Sequence, residues 1–324
     1  MEELKIELKE KLGFNSPVIG YLASIKEKAY TYNYYRLRHP GGIFNLQFND
    51  VVDDFLDLLT HLKELQNNQT AEISLDKKFS SLLWKFFKYY ESCYEIILGC
   101  CEKHSLPSEN ECIHKWLNKN KYSAERTFYQ AVKEDISLFR DMFNRLKHTS
   151  NTIRIIYFDK IDKTGIKIFG YYLESAALEG SLGPDEDLHP KYQNANSANS
   201  FNFDLRKLYY CIYRVADAIC SAVILHFNKV YSSNLGFNND YKQDDSKLKK
   251  LYDEIVNLPD RFYENETMKQ CPFPSIEEIG KKRYLVFKIN DTQTINLSDY
   301  KVSFSTKGDG FSRSFRIPFK PSQK

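Results

Sequence analysis

The segment LFRDMFNRLKHTSN, at 138–151, contains the residue types needed for acid–base chemistry on a phosphate. Arg140, Asn144 and His148 recur at every fourth position, so on a helix they rise along one polar strip, with Lys147 beside it. A His at the C-terminus of a helix faces the negative end of the helix dipole, which suits a general acid. Arg140 or Lys147 would hold a phosphate for it. The strip predicts metal-independent RNA cleavage, although cations at a helix C-terminus also occur for stability alone.

The residues NRLKH at 144–148, placed at the end of a helix, resemble the HEPN superfamily. Members of that family are small helical bundles, often dimeric, and many are ribonucleases of toxin–antitoxin and phage-defence systems. Their motif is an Arg followed by a polar residue, with a His four to six residues beyond the Arg. The resemblance implies that Arg140 is the motif Arg, Asp141 the polar residue and His148 the His.

This resemblance implies a metal-independent ribonuclease, or a toxin or phage-defence protein, that acts on RNA without a cofactor. It would work as a homodimer, with RNA and a protein such as an antitoxin as partners. The catalytic residues would be Arg140, Asn144, Lys147 and His148. Seven residues separate Arg140 from His148, one more than the family pattern. That spacing favours the alternative of a non-catalytic HEPN-like module that binds a protein or RNA partner.

A second cluster, between positions 100 and 114, contains residues that bind zinc. Cys101, His104, Cys112 and His114 would supply the four ligands of a tetrahedral site, in a zinc-stabilised structural protein. The spacing matches none of the common zinc knuckles. Cys93 and Cys100 lie seven residues apart on an apolar stripe, which favours ordinary core thiols and no metal.

The C-terminal tail, 301–324, has six cations against one acid, a net charge of +5, with phenylalanines between them. Cations mixed with aromatic residues suit single-stranded nucleic acid, through phosphate contact and base stacking. Arg313 and Arg316, together with Arg145 of the helix, are therefore predicted RNA-binding residues. An alternating strand with an aromatic core face and a basic outer face produces the same pattern.

Composition limits the remaining classes of protein. The chain has 324 residues, 46 Lys and Arg against 43 Asp and Glu, and a net charge of +3, which excludes a polybasic nucleic-acid coat. No apolar run in the sequence is expected to reach the roughly 20 residues that a membrane span needs. We therefore expect a soluble cytosolic protein without membrane contact. P-loop, Rossmann, α/β-hydrolase and zincin motifs are absent from the sequence.

The hydrophobic periods predict an α+β protein that is predominantly α. A helical bundle at 1–232 would carry an inserted β-hairpin at 152–173 and a mobile polar loop at 174–200. Residues 233–324 would add a short helix and a β-rich C-terminal region. Leu4, Leu8 and Leu12 predict a short N-terminal helix, and the predicted bundle helices are 17–38, 48–66, 75–103, 123–148 and 203–230.

Overall fold

The computed structural model describes most of the chain, with gaps. The described residues are 1–9, 13–25, 31–67, 75–101, 107–108, 111–160, 167–176, 181–192, 194–230, 245–266, 269–291 and 300–304. Arg313, Arg316 and His104 lie outside these ranges.

The described structure is 57% helical with small antiparallel sheets, which confirms the α+β, mainly α, fold class. The helices are α1 Val18–Ala23, α2 Thr31–Tyr34, α3 Pro40–Asn67, α4 Leu75–Cys100, α5 Ile113–Lys119, α6 Ser123–Val132, α7 Ser137–His148, α8 Phe201–Val230 and α9 Ser246–Val256.

Three antiparallel sheets accompany these helices in the described residues. The strands are β1 Leu4–Leu8, β2 Thr152–Lys160, β3 Lys167–Ala176, β4 Leu182–Pro184, β5 Lys191–Tyr192, β6 Ala195–Asn196, β7 Asn199–Ser200, β8 Gln270–Ile279, β9 Lys282–Asp291 and β10 Tyr300–Phe304. The sheet orders are β1-β9-β8, β10-β2-β3-β4 with β7 also on β3, and β5-β6. The predicted hairpin is β2–β3. The predicted loop 174–200 contains β4 to β7, so its described part has regular strand pairing.

Helices α3, α4 and α8 form the centre of the molecule, because their apolar residues recur with the helical period and are buried against each other. The stretch Phe201–Leu225 of α8 is long and apolar enough to cross a membrane, contrary to what the sequence analysis expected. Its most apolar window is 67% buried inside the protein, as in the core helix of a soluble protein. The described structure is therefore compatible with a soluble protein.

The first strand corrects the predicted N-terminal helix. Leu4, Ile6 and Leu8 are buried and alternate with more exposed residues, and Leu4 pairs with Phe287 of β9. A spacing of four fits both a helix and a strand, so Leu4 and Leu8 could not distinguish them. Ile6 between them belongs to a period of two.

The motif His39-Pro40-Gly41-Gly42 begins helix α3, whereas residues 39–47 lay between the two predicted helices 17–38 and 48–66. Pro40 occupies the first position of α3, where its missing N–H costs nothing. Nδ1 of His39 accepts a hydrogen bond of 3.1 Å from the N–H of Gly41, so the side chain caps the helix. The predicted helix 17–38 is represented by two short helices, α1 and α2.

The predicted single helix 123–148 is interrupted between α6 and α7. At this turn the carboxylate of Asp135 faces α8, where it accepts a hydrogen bond of 3.2 Å from the hydroxyl of Tyr210 and lies 3.4 Å from Nε of Arg214. Nε of Arg214 also donates to the carbonyl of Ala131 at the end of α6. The polar groups at this turn therefore have partners on α8. The apolar period continues through the turn because Val132, Ile136 and Phe139 are all buried.

Candidate functional site

The polar strip identified in the sequence lies on α7, at the surface of the bundle. Asn144, Lys147 and His148 are exposed, and Arg140 is half-buried. On the opposite face, Phe139, Met142 and Phe143 are buried and hold α7 against the core. The orientation of the strip therefore follows from the buried face of α7.

The two ends of the strip are far apart within one chain. His148 is eight positions after Arg140, which on an α-helix is roughly 12 Å of rise and about 80° of rotation. Arg140 instead lies near Tyr90, whose hydroxyl oxygen is 2.6 Å from that of Tyr94. Burial raises the pKa of Tyr90 to about 12, while the hydrogen bond with Tyr94 and the nearby positive charge of Arg140 act in the opposite direction. Arg140 and His148 of one chain thus do not converge on a single phosphate.

An exposed tryptophan on α4 lies next to the strip. The Trp84 side chain is 47% exposed, and its ring centroid lies 4.8 Å from that of Phe143 on α7. Nζ of Lys147 lies 5.9 Å from the centroid of the Trp84 ring. We call the surface formed by Trp84, Asn144, Lys147 and His148 the α4–α7 face.

Trp84 was not among the predicted site residues, although its place in the helical period of α4 is a signal. The core stripe of α4 contains Phe79, Leu83 and Phe86, and Trp84 is off that stripe. Ser81 and Lys88, three residues before it and four after it, are both exposed. A large aromatic residue on the polar face of a helix leaves part of its ring available for a ligand, and aromatic residues of this kind are common at interaction sites.

Arg145, which was predicted to bind RNA, forms ion pairs with two carboxylates of its own chain. Its guanidinium forms ion pairs with Asp185 and Asp187, which follow β4. Asp185 is buried, and its Oδ1 also accepts hydrogen bonds of 3.2 Å from the N–H groups of Asp187 and Leu188. Within the described chain, Arg145 therefore fastens the segment after β4 to α7.

The described residues of the predicted zinc cluster do not converge. Cys101 is buried, Cys112 is exposed, and Nε2 of His114 lies 3.1 Å from the carboxylate of Glu125. The His114 ring also packs against Tyr94, with centroids 4.7 Å apart. Among the residues described, no group of three or more His, Cys, Asp and Glu side chains could hold a metal. His114 is therefore engaged by a carboxylate on one side and by an aromatic ring on the other.

A buried polar network that sequence analysis missed lies at the N-terminus of α8. The Ser200 hydroxyl accepts a hydrogen bond of 3.3 Å from the N–H of Phe203, which makes Ser200 the helix cap. The fully buried Glu266 accepts hydrogen bonds from the N–H and hydroxyl of Ser200, at 2.8 and 2.7 Å, and from the N–H of Tyr263 at 2.7 Å. Asp204, in the first turn, accepts from Tyr171 at 2.5 Å. Both carboxylates lie at the positive end of the helix dipole, so the network has a capping role.

These findings leave the α4–α7 face as the best candidate functional site in the described structure. Comparison with known proteins does not add to them: no protein-family model, no curated protein and no solved structure matches this chain.

Proposed function

We propose that the protein binds single-stranded RNA on the α4–α7 face. The observation that carries the proposal is the exposed Trp84 ring with the Lys147 ammonium beside it. Proteins that bind single strands combine aromatic rings, on which bases stack, with cations that contact the phosphates. Asn144 and His148, both exposed on the same face, would add hydrogen bonds to bases or phosphates. This is the RNA-binding form of the HEPN-like module that the sequence resembles.

The binding test is fluorescence anisotropy with a labelled 12-nucleotide single-stranded RNA at low salt. We expect Trp84→Ala to weaken binding about fivefold or more, because each stacked base contributes roughly 1–3 kcal/mol. Tyr34→Ala is the matched control, because Tyr34 is similarly exposed but lies on α2. Equal affinities of the wild type and Trp84→Ala would contradict the proposal.

Lys147→Ala tests the phosphate contact separately from the stacking contact. Removal of one phosphate contact should lower the slope of log affinity against log salt by about one. Lys63→Ala is the control for charge, because Lys63 is exposed on α3 and pairs with Glu254. The same slope in Lys147→Ala and in the wild type would show that Lys147 does not contact phosphate.

Ribonuclease activity is the second candidate, and the exposure of His148 next to Lys147 favours it. Because Arg140 and His148 are distant within one chain, catalysis would pair Arg140 of one copy with His148 of another, as in the dimers that the resemblance implies. Cleavage of mixed RNA in EDTA should then be abolished by His148→Ala. The same cleavage by both proteins would exclude the catalytic role of His148.

Mixing two inactive variants tests the shared site directly. A dimer of one Arg140→Ala chain and one His148→Ala chain would have one intact composite site and one doubly altered site. Since random exchange makes half of the dimers mixed, about one quarter of the wild-type activity should return. A mixture that remains inactive would contradict a site shared between copies. A toxin–antitoxin or phage-defence role belongs to the proposal through the resemblance alone, and a cytoplasmic location belongs to it through the sequence expectation.

A further inference from the structure

A cavity of about 490 Å³ lies where α5 ends and α6 begins. Its volume is within the range of small-molecule sites. The wall carries three cations, Lys119, Lys121 and Arg126, and one carboxylate, Glu125. This cavity is formed by elements other than those of the α4–α7 face.

The three cationic residues are exposed to solvent. In the part of the chain that the structure describes, no carboxylate oxygen approaches Lys119, Lys121 or Arg126 within ion-pair distance. The carboxylate of Glu125 is engaged by His114, at 3.1 Å; burial raises the pKa of Glu125, and the nearby His114 and Arg126 act in the opposite direction. The cavity therefore has a positive field that a compact anion would neutralise.

The backbone at the mouth of the cavity adds hydrogen-bond donors. Ser123, the first residue of the ten-residue helix α6, lines the cavity, and the preceding Tyr122 provides no side-chain cap. The N–H groups of a first helical turn have no partner inside the helix, and they carry the positive end of its dipole. An anion bound at this end of α6 is favoured by such donors and by the helix dipole.

The position of Lys121 is informative because its φ is +57°. It follows α5 in the left-handed conformation of a helix C-terminus, and the N–H of Tyr122 bonds to the carbonyl of Leu117 there, at 3.2 Å. Glycine occupies such positions at lower cost. A lysine here places a cation at the cavity at the expense of backbone strain.

We infer that this cavity binds a phosphate monoester. A phosphate dianion matches three cations and a helix N-terminus, and the volume leaves room for the esterified group. Tyr122, which stacks on Trp116 with centroids 5.7 Å apart, presents an aromatic wall to that group. The monoester is either a free metabolite or the phosphorylated end of an RNA. The inference does not depend on the proposed function of the α4–α7 face.

Isothermal titration of the full chain with inorganic phosphate, uridine 5′-monophosphate and uridine tests the chemistry. We expect the monophosphate to bind at least as tightly as phosphate, and uridine not to bind. Two 12-nucleotide RNAs, one with a 5′-phosphate and one with a 5′-hydroxyl, distinguish the sources. A preference for the 5′-phosphate indicates an RNA end, and binding of the monophosphate without such a preference indicates a free metabolite.

Lys121→Gly separates binding from folding. Glycine relieves the backbone strain, so its thermal unfolding midpoint should equal or exceed that of the wild type. Lys121→Gly combined with Arg126→Gln should weaken monophosphate binding about tenfold or more, because it removes two charge-assisted contacts. Lys115→Gln, an exposed residue of α5 outside the cavity lining, is the matched control and should bind as the wild type does. Failure of every phosphate probe to bind, or equal binding by the double variant, would overturn the inference.

Discussion

Glu266 shows how one buried residue makes stability depend on pH. Burial raises its pKa to about 7, the nearby Asp204 acts in the same direction, and the hydrogen bonds from Ser200 partly oppose the shift. The folded protein therefore holds the Glu266 proton more tightly than the unfolded chain does. The stability contributed by that proton is fully present below about pH 4.5 and is lost as the pH rises through about 7.

We expect the unfolding free energy of the wild type, relative to Glu266→Gln, to fall by about 3 kcal/mol between pH 4.5 and 7.5. Urea unfolding of both proteins at each pH measures this difference. His189 has the opposite effect, because burial lowers its pKa to about 3, but it is present in both proteins and cancels. A difference that stays constant or rises with pH would show that Glu266 does not titrate in this way.

Gly170 occupies a place on β3 where no larger residue fits. A Cβ atom at this position would overlap the hydroxyl of Tyr263 and the backbone carbonyl of Asn199. We expect Gly170→Ala to lower the unfolding free energy by about 3 kcal/mol. Gly42→Ala is the control, because a Cβ there has nothing within 4 Å and alanine favours the helix. Similar unfolding midpoints of Gly170→Ala and the wild type would contradict this account.

At the scale of elements, helix α7 presents a polar surface to solvent on one side and anchors a neighbouring segment on another. One side presents Asn144, Lys147 and His148 to solvent, and Arg145 on another side holds the segment after β4. That segment is also fixed to β3, where Nε2 of His189 accepts a hydrogen bond of 2.8 Å from the N–H of Leu173. A surface helix can thus anchor a loop with one residue and leave its neighbours available for a ligand.

Arg145→Ala should lower the unfolding free energy by about 2 kcal/mol, because the buried carboxylate of Asp185 loses its charged partner. Hydrogen exchange should show faster exchange of the amides at 185–189. Asp187→Ala is the matched control and should change stability by less than about 1 kcal/mol, because Asp187 is exposed. If both variants have the stability of the wild type, the ion pairs do not hold the segment.

At the scale of the whole molecule, two sheets join parts of the chain that are distant in sequence. β1 pairs with β9, and β10 pairs with β2, so residues beyond 280 are bonded to the N-terminal strand and to the hairpin. Phe287 of β9 packs on Tyr209 and Tyr213 of α8, with ring centroids 5.5 and 5.8 Å apart. β9 therefore lies between the N-terminal strand β1, with which it pairs, and the central helix α8, on which it packs.

We expect Ile6→Ala to destabilise the entire described fold by about 2–4 kcal/mol, because Ile6 is a buried core residue. Circular dichroism at 222 nm and tyrosine fluorescence should report the same lowered midpoint if α8 and the sheet unfold together. Lys5→Ala, whose side chain is exposed on the same strand, should change the midpoint little. Separate transitions by the two probes would show that the sheet is not part of one cooperative unit.

Local periodicity was sufficient to predict much of the architecture. The stripes of α4 and α8 and the alternation of β2 and β3 predicted these elements close to their observed bounds, because helix and strand periods are set by a few neighbouring residues. The same principle failed where two periods coincide, at Leu4 and Leu8, and where Asp135 interrupts a helix that has an unbroken apolar stripe.

Contacts between distant residues were decided only by the tertiary structure. The sequence by itself determined the mainly helical α+β class and the polar strip on α7. It did not determine that Trp84 lies beside Lys147. Nor did it determine that Arg145 forms an ion pair with Asp185, or that His114 contacts the carboxylate of Glu125. Those pairings depend on how helices pack and where the chain returns, since residues far apart in sequence meet only when the core has formed.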